Sequence, residues 1–385
     1  MSENTQLSNP QPANSVYFPA LDGIRALALA MVFLAHYGDI PLFGVGVNLF
    51  FVLSGFLITG ILWDTREQPH RIRNFYIRRS LRIFPLYYGI FLGVLLLTPF
   101  FHWSWNSAWL LWPAYLGNHL LYMHPWLPAP AWQLVQNAQL ASTQGIVLYF
   151  GHFWSLCVEE QFYLLWPWIV FTAPRRNLLW LCAVVTVALP FLRIYAAHRL
   201  SPADIHNNLL FRTLPFQADS LLLGGLLALL LRGEHRAALI RIGRNAANIG
   251  CIAALLFVYC CVDLHIAALH QPFPLTFGNL TWQLSLVNAL GAVLILGGLQ
   301  PGAWIYRIFN LRPARWLGRI SYGAYVLHDI PHGAYVDLAH QLSEPHWRIL
   351  SMLIAFSCTL VAAALSYRFF ERPFLNLKDR WTIRA

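Results

Sequence analysis

The chain has 385 residues, of which 58% are hydrophobic and only 11% are charged. Such a composition is too apolar for a soluble domain of this size, and it predicts an integral membrane protein. The net charge of +10 comes almost entirely from arginines at the ends of apolar segments, which is typical of a membrane-topology signal rather than of a nucleic-acid-binding surface. We therefore expect membrane lipid, and no nucleic acid, among its partners.

Apolar segments long enough to cross a bilayer recur along the whole chain. About ten are predicted, at residues 21–40, 44–62, 83–101, 146–172, 178–197, 214–231, 247–265, 281–299, 320–338 and 349–370. We expect an all-α, polytopic membrane helix bundle of about ten transmembrane helices over residues 21–373, with polar tails at 1–20 and 374–385. The first apolar run follows no basic region and no cleavage site, so we interpret it as a retained span.

The arginines predict how the bundle is oriented. Six fall between the second and third spans, and further groups follow the fourth, sixth and tenth spans. By the positive-inside rule both termini are cytoplasmic, and residues 102–145 lie on the outer side. This outer stretch holds many tryptophans and tyrosines but no Lys or Arg. It is either an interfacial aromatic belt, with a re-entrant or short helix near 105–122, or a platform for a sugar or lipid-linked acceptor.

The first span carries a fixed cation and a titratable imidazole on one face. Arg25 and His36 are eleven residues apart, which on a helix separates them by about 16 Å and turns both to the same side. Imidazole can act as base and as acid near neutrality. The alternative is an arginine at the lipid headgroups and a histidine that reaches the far interface.

The densest basic element precedes the third span. It contains Arg73, Arg78, Arg79 and Arg82, and the spacing of the last three puts two guanidinium groups on one helix face where the chain enters the membrane. Guanidinium groups in such a position could bind phosphates bidentately. Membrane topology and anionic lipid headgroups are the alternatives.

Two adjacent carboxylates, Glu159 and Glu160, lie inside the fourth span. Acids within membrane spans are costly and usually functional, although pairing with an Arg or His of another helix is a structural alternative. Asn48, Asp219 and His328 also lie within spans, and we interpret each alone as a helix-packing residue. Together they predict a polar cavity. The six cysteines all lie in apolar stretches without metal-ligand spacing, so we expect neither a disulfide framework nor a metal site.

Seven stretches of the sequence carry a resemblance to a known family. They are LDGIRALALAMVFLAH (21–36), GVGVNLFFVLSGFLI (44–58), FYIRRSLRIFPLYY (75–88), HFWSLCVEEQFYLLWP (152–167), QADSLLLGGLLA (217–228), LGRISYGAYVLH (317–328) and LSYRFFERPFL (365–375). In this order the chain resembles the acyltransferase 3 family of multispanning bacterial acyltransferases. The family's usual Asp in its GVDxFF stretch is Asn48 here, so a role that needs a negative charge at this position is in doubt.

The resemblance implies transfer of an acyl group, often acetyl, from a coenzyme A thioester to a hydroxyl of a carbohydrate or other cell-surface acceptor. Acyl-CoA is then a substrate, no cofactor is permanently bound, and the protein lies in the bacterial cytoplasmic membrane. The family's functional Arg-x10-His pattern falls on Arg25 and His36. Some relatives carry an additional hydrolase-like domain after the membrane core, and we expect none here.

These residues suggest a mechanism. Acyl-CoA enters from the cytosol with its phosphates on the basic element, and its pantetheine arm passes Arg25. His36 then deprotonates the acceptor hydroxyl or takes the acyl group covalently, while Glu159 or Glu160 orients the imidazole. The alternative function is a transporter or flippase of lipid-linked glycan, although the sequence shows no pair of similar halves.

Overall fold

The computed structural model describes residues 18–38, 40–119, 138–199, 209–234, 236–243, 245, 283–341 and 345–383. Its helices begin with α1 (Pro19–Tyr37), α2 (Gly46–Asp64), α3 (Arg71–Phe101), α4 (Trp154–Thr172), α5 (Arg175–Arg199), α6 (Leu209–Arg212) and α7 (Leu214–Leu230). They continue with α8 (Gln283–Gly298), α9 (Trp304–Phe309), α10 (Arg312–His328), α11 (His332–Gln341), α12 (Pro345–Leu365) and α13 (Arg372–Trp381). The predicted all-α class is confirmed.

Six helical segments of the described residues are long and apolar enough to cross a membrane. They are Pro19–Tyr37, Leu42–Asp64, Arg71–Phe101, Arg175–Arg199, Leu210–Leu230 and His346–Trp381. The chain is therefore a multi-pass membrane protein, whereas the predicted count of about ten spans is not confirmed. The predicted span at 247–265 lies outside the described residues.

Two of the predicted spans differ from a continuous apolar helix. The span predicted at 146–172 becomes helical only at Trp154, because residues before it form strand β2 (Val147–Tyr149), which pairs antiparallel with β1 (Gln139–Ala141). The span predicted at 320–338 is two helices, because α10 ends at His328 and α11 begins at His332. Pro331 lies between them, and a proline has no backbone N–H with which to continue a helix.

The segment after α3 folds back against that helix. It forms short 3₁₀ helices at Ser107–Leu111 and Gly117–His119, within the region where the sequence predicted a re-entrant or short helix. The hydroxyl of Tyr87, about halfway along α3, donates to the Trp112 carbonyl at 2.6 Å, and that of Tyr88 donates to the Pro113 carbonyl at 3.0 Å. Irregular backbone at membrane depth is thus satisfied by side chains of the bundle.

Three tryptophans of this segment are core residues. Trp103, Trp109 and Trp112 are 7%, 3% and 1% exposed, and all three belong to the main hydrophobic cluster together with residues of α1 to α5, α7, α10 and α12. The aromatic surface of these three is buried against the bundle and is not available to an acceptor. Tyr122, Trp126 and Trp132 of the predicted belt or platform lie outside the described residues.

The bundle is held together by close helix crossings. A Cβ atom added to Gly55 of α2 would lie 1.8 Å from the carbonyl oxygen of Leu221, and one added to Gly224 of α7 would lie 2.0 Å from that of Val52. Because each glycine lacks a side chain, it leaves room for the backbone of the other helix. This is the packing that small residues allow between membrane helices.

We expect Gly55→Ala to destabilise the protein by about 1–3 kcal/mol, the usual cost of adding a methyl group to a packed interior. The measurement is the thermal unfolding midpoint of purified protein. Gly93→Ala is the matched control, because a Cβ at this position of α3 would meet nothing within 4 Å. Equal midpoints for the two variants would contradict the close crossing.

Candidate active site

Histidines and an aspartate from four parts of the chain form one polar cluster, here called the histidine cluster. Its members are His36, His152, His328, Asp329 and His332. His36 Nδ1 lies 3.1 Å from His328 Nε2, and the rings of His152 and His328 are 4.9 Å apart. His328 is fully buried, Asp329 is 5% exposed, and His36 is partly buried.

The ends of the helices position these side chains. His36 lies in the last turn of α1 and His328 is the last residue of α10. The hydroxyl of Tyr37 donates to the backbone carbonyl of His328 and so ties the two helix ends together. His152 lies in a 3₁₀ turn (Gly151–Phe153) directly before α4.

The hydrogen bonds assign the proton positions on His36. His328 Nδ1 lies 2.6 Å from the Tyr325 carbonyl, which can only accept, so this nitrogen carries the proton. Neutral His328 then presents its Nε2 lone pair to His36. His36 Nδ1 is the donor in that bond, and it also lies 3.1 Å from the Val32 carbonyl. The lone pair of His36 is therefore on Nε2, where a base needs it.

Asp329 supplies the negative charge of the histidine cluster. Its Oδ2 lies 3.2 Å from His152 Nδ1, and its Oδ1 lies 3.7 Å from His332 Nδ1. His152 Nε2 lies 3.1 Å from the Val326 carbonyl. Both nitrogens of His152 therefore face acceptor oxygens.

Aromatic rings line one side of the histidine cluster. The ring of His332 is 5.0 Å from Tyr37, 5.5 Å from Tyr149, 6.0 Å from Tyr335 and 6.3 Å from His36, measured between centroids. Tyr149, on β2, is outside the membrane-spanning helices. Burial raises the pKa of its hydroxyl, and Asp329 adds to the shift, so Tyr149 remains neutral and able to donate. We call these three tyrosines and His332 the aromatic wall.

A second polar group, here called the arginine group, contains three of the predicted site residues: Arg25, Arg79 and Arg82. Arg25 donates to Asp22 at 2.7 Å, and Arg82 interacts electrostatically with Arg25, Arg79, Asp22 and Glu371. Three guanidinium groups thus lie close together, and the Nε of Arg79 is buried without a hydrogen-bond partner among the described residues, which leaves a donor for an anionic ligand.

Arg79 also joins the arginine group to the two predicted glutamates. Its guanidinium carbon lies 3.9 Å from the centre of the Tyr163 ring, and it interacts electrostatically with Glu159 and Glu160. Ser54 donates to Glu159, and one carboxylate oxygen of Glu160 is buried without a hydrogen-bond partner among the described residues.

The structure therefore separates two sets of residues that the sequence analysis joined. In the described part of the chain neither glutamate hydrogen-bonds to His36, whose nitrogen instead meets His328 and Val32. Arg73 and Arg78 are exposed, and Arg78 reaches only Thr382 at 3.5 Å. These two arginines are not part of the arginine group.

Asn48 belongs to a third, fully buried network. Its Nδ2 lies 3.0 Å from Gln217, 3.1 Å from Ser220 and 3.2 Å from Asn288. Asn288 in turn donates to Asp219 at 3.0 Å. Arg193 holds both oxygens of Asp219, at 2.8 and 2.7 Å, so the cationic partner of this aspartate is Arg193. We assign this network a structural role.

Sequence reasoning missed His152, His328 and Asp329 as site residues. Read one at a time, a histidine within a span resembles a packing residue. The signal that could have found them is the run His328–Asp329–Ile330–Pro331–His332, which places three ionisable groups beside a helix-breaking proline inside a predicted span.

A family model described as an acyltransferase domain matches residues 18–368. The chain is 30% identical over 374 residues to the peptidoglycan O-acetyltransferase of Listeria monocytogenes, covering 93% of this chain and 56% of that protein. It is 26% identical over 369 residues to a putative peptidoglycan O-acetyltransferase of Bacillus subtilis, covering 93% and 55%. It is also 26% identical over 387 residues to a putative O-acetyltransferase of Staphylococcus aureus, covering 93% and 57%.

The chain spans about half the length of these curated relatives. No solved structure matches it.

We expect Asn48→Asp to destabilise the protein by about 1–3 kcal/mol, although Asp is the usual residue of the resembled family. An ionised carboxylate cannot donate to the three acceptors that surround this side chain, and it would add a second negative charge to the network of Asp219. Thermal unfolding of purified protein measures the effect. Asn177→Asp, at an exposed position in the first turn of α5, is the control. A variant at position 48 as stable as the parent would contradict the structural role.

Proposed function

This chain belongs to the acyltransferase family, and from that membership we propose that it is a membrane O-acetyltransferase. It transfers an acetyl group from acyl-CoA to a hydroxyl of a cell-wall carbohydrate. The names of the relatives support the reaction and the acceptor class. The observation that carries the proposal is the hydrogen bond between His36 and His328, because it leaves His36 Nε2 ready to take a proton.

His36 is the general base. Its Nε2 removes the proton of the acceptor hydroxyl as the oxygen attacks the thioester carbonyl. The carbon–sulfur bond then breaks, and the proton passes from His36 to the leaving thiolate, so the imidazole returns to its starting form. Intramembrane placement of the base keeps bulk water away from the thioester and so disfavours hydrolysis.

His328 is a positioning residue. It accepts from His36 Nδ1 and so fixes both the tautomer and the orientation of the base. When His36 becomes an imidazolium, the same bond becomes charge-assisted and stronger. Asp329, paired with His152 at 3.2 Å, supplies the nearby negative charge that favours the cation.

The arginine group binds the phosphates of the donor. Arg25 and His36 are on one helix face about 16 Å apart, so phosphates held at Arg25, Arg79 and Arg82 leave the pantetheine arm to span the distance to the base. Arg193 and Arg232 each pair with a carboxylate, Asp219 and Asp64 respectively, and Arg25 pairs with Asp22. The Nε of Arg79 is buried without a hydrogen-bond partner among the described residues, so this guanidinium keeps a donor for a phosphate oxygen.

The aromatic wall receives the acceptor. Aromatic faces pack against the apolar faces of pyranose rings, and the hydroxyl of Tyr149 can hydrogen-bond to a sugar. The arginine-rich loops support cytoplasmic termini, and we propose that the protein lies in the inner membrane of a bacterium. In that orientation the donor reaches His36 from the cytosol and the acceptor from the outer side.

Replacing His36 by Ala should lower the rate of acetyl transfer by about 10²–10⁴-fold, the usual contribution of a general base. The measurement is thiol release from acetyl-CoA in the presence of a cell-wall glycan, with donor binding measured separately to show that it persists. His198→Ala, at the end of α5, is the control. Transfer at the parent rate by the His36 variant would rule out the base.

Replacing Arg79 and Arg82 by Gln should raise the KM for acetyl-CoA by about tenfold or more, because a charge-assisted hydrogen bond contributes about 1.5–3 kcal/mol. The change in kcat should be smaller. Arg176→Gln, an exposed arginine at the start of α5, is the matched control. An unchanged KM in the double variant would show that the donor phosphates bind elsewhere.

A further inference from the structure

Three members of the histidine cluster have the composition of a transition-metal site. His36, His328 and Asp329 each offer one ligand atom, and these atoms all lie within 4.8 Å of one another. Two imidazoles and one carboxylate form a donor set that suits zinc and its neighbours among the first-row metals better than magnesium or calcium.

The spacing of the two nitrogens fits a single bound ion. With metal–nitrogen bonds of about 2.0–2.1 Å in tetrahedral geometry, two imidazole nitrogens lie about 3.3 Å apart. His36 Nδ1 and His328 Nε2 are 3.1 Å apart. An ion that replaces the proton between them therefore needs little movement of either ring, and a modest shift of Asp329 would bring in the third ligand.

The surroundings of these residues are those of a metal site. A ligating histidine usually donates its other N–H to a carbonyl or carboxylate, and His328 does so to the Tyr325 carbonyl at 2.6 Å. The carboxylate of Asp329 is likewise held, by His152 at 3.2 Å. Both ligands are thus already oriented by partners that a bound ion would not displace.

A positive neighbour limits the affinity of the site. Asp329 also interacts electrostatically with Arg212. A divalent ion must bind against this charge. This favours reversible binding over a permanently held structural ion.

We propose that His36, His328 and Asp329 form an inhibitory site for a divalent transition-metal ion. An ion on His36 Nδ1 leaves the single proton of the neutral ring on Nε2, the atom that must accept the proton of the hydroxyl. Metal binding therefore inhibits the reaction, because it moves the proton of His36 from Nδ1 to Nε2 and so removes the lone pair that the base uses. The inhibition rests on the proposed function, whereas the binding site stands independently of it.

The first test is calorimetric titration of the purified protein with Zn²⁺ alone. We expect one ion per chain, no comparable binding of Mg²⁺, and at least tenfold weaker Zn²⁺ binding in His328→Gln and in Asp329→Asn. His119→Gln, in a separate 3₁₀ turn, is the control. Parent-like Zn²⁺ affinity in both cluster variants, each shown to be folded by its unfolding midpoint, would overturn the site.

The second test is acetyl transfer in the presence of Zn²⁺. We expect transfer to fall as the site fills and to return after addition of a chelator. Saturating Zn²⁺ without loss of transfer would overturn the inhibitory role while leaving the proposed function intact. A protein that binds Zn²⁺ but transfers no acetyl group under any condition would instead count against the proposed function.

Discussion

A hydrogen bond between two histidines from opposite ends of the chain organises the centre of this protein. His36 and His328 meet only because α1 and α10 pack closely. A Cβ on Gly318 of α10 would lie 1.8 Å from the Asp22 carbonyl of α1, so the backbones approach as nearly as two helices can. The hydroxyl of Tyr37 then joins the far ends of the same two helices. The chemistry assigned to His36 depends on this crossing.

Other buried ionisable groups differ in how far they are satisfied. Arg193 and Asp219, which have no part in the proposed chemistry, satisfy each other. His36 instead keeps a lone pair, and the Nε of Arg79 is buried without a hydrogen-bond partner among the described residues. Polar groups are costly at membrane depth, and these two lie where substrates are proposed to bind.

The all-α membrane fold could be predicted from the sequence, because hydropathy is a local signal. That Arg25 and His36 share a helix face could also be predicted, since the pitch of a helix fixes which residues share a face. The hydrogen-bond partner of His36 could not be predicted. Glu159 and Glu160 looked suitable because intramembrane acids are rare, yet which of several polar helices faces α1 is decided by close packing at positions such as Gly318. The break after His328 was hidden by the apolar residues on either side of it.

The two histidines are separated by 292 residues, and this has a consequence for biosynthesis. α1 leaves the ribosome and enters the membrane long before α10 exists. Throughout that interval the nascent chain contains His36 without His328, the partner that fixes its tautomer. Residues 328–332 include three ionisable side chains, which are costly to insert into a membrane. Contact with α1, which is already inserted, favours their insertion. Competence for the proposed acyl transfer therefore arises late in translation, and incomplete chains contain His36 without the partner that fixes its tautomer.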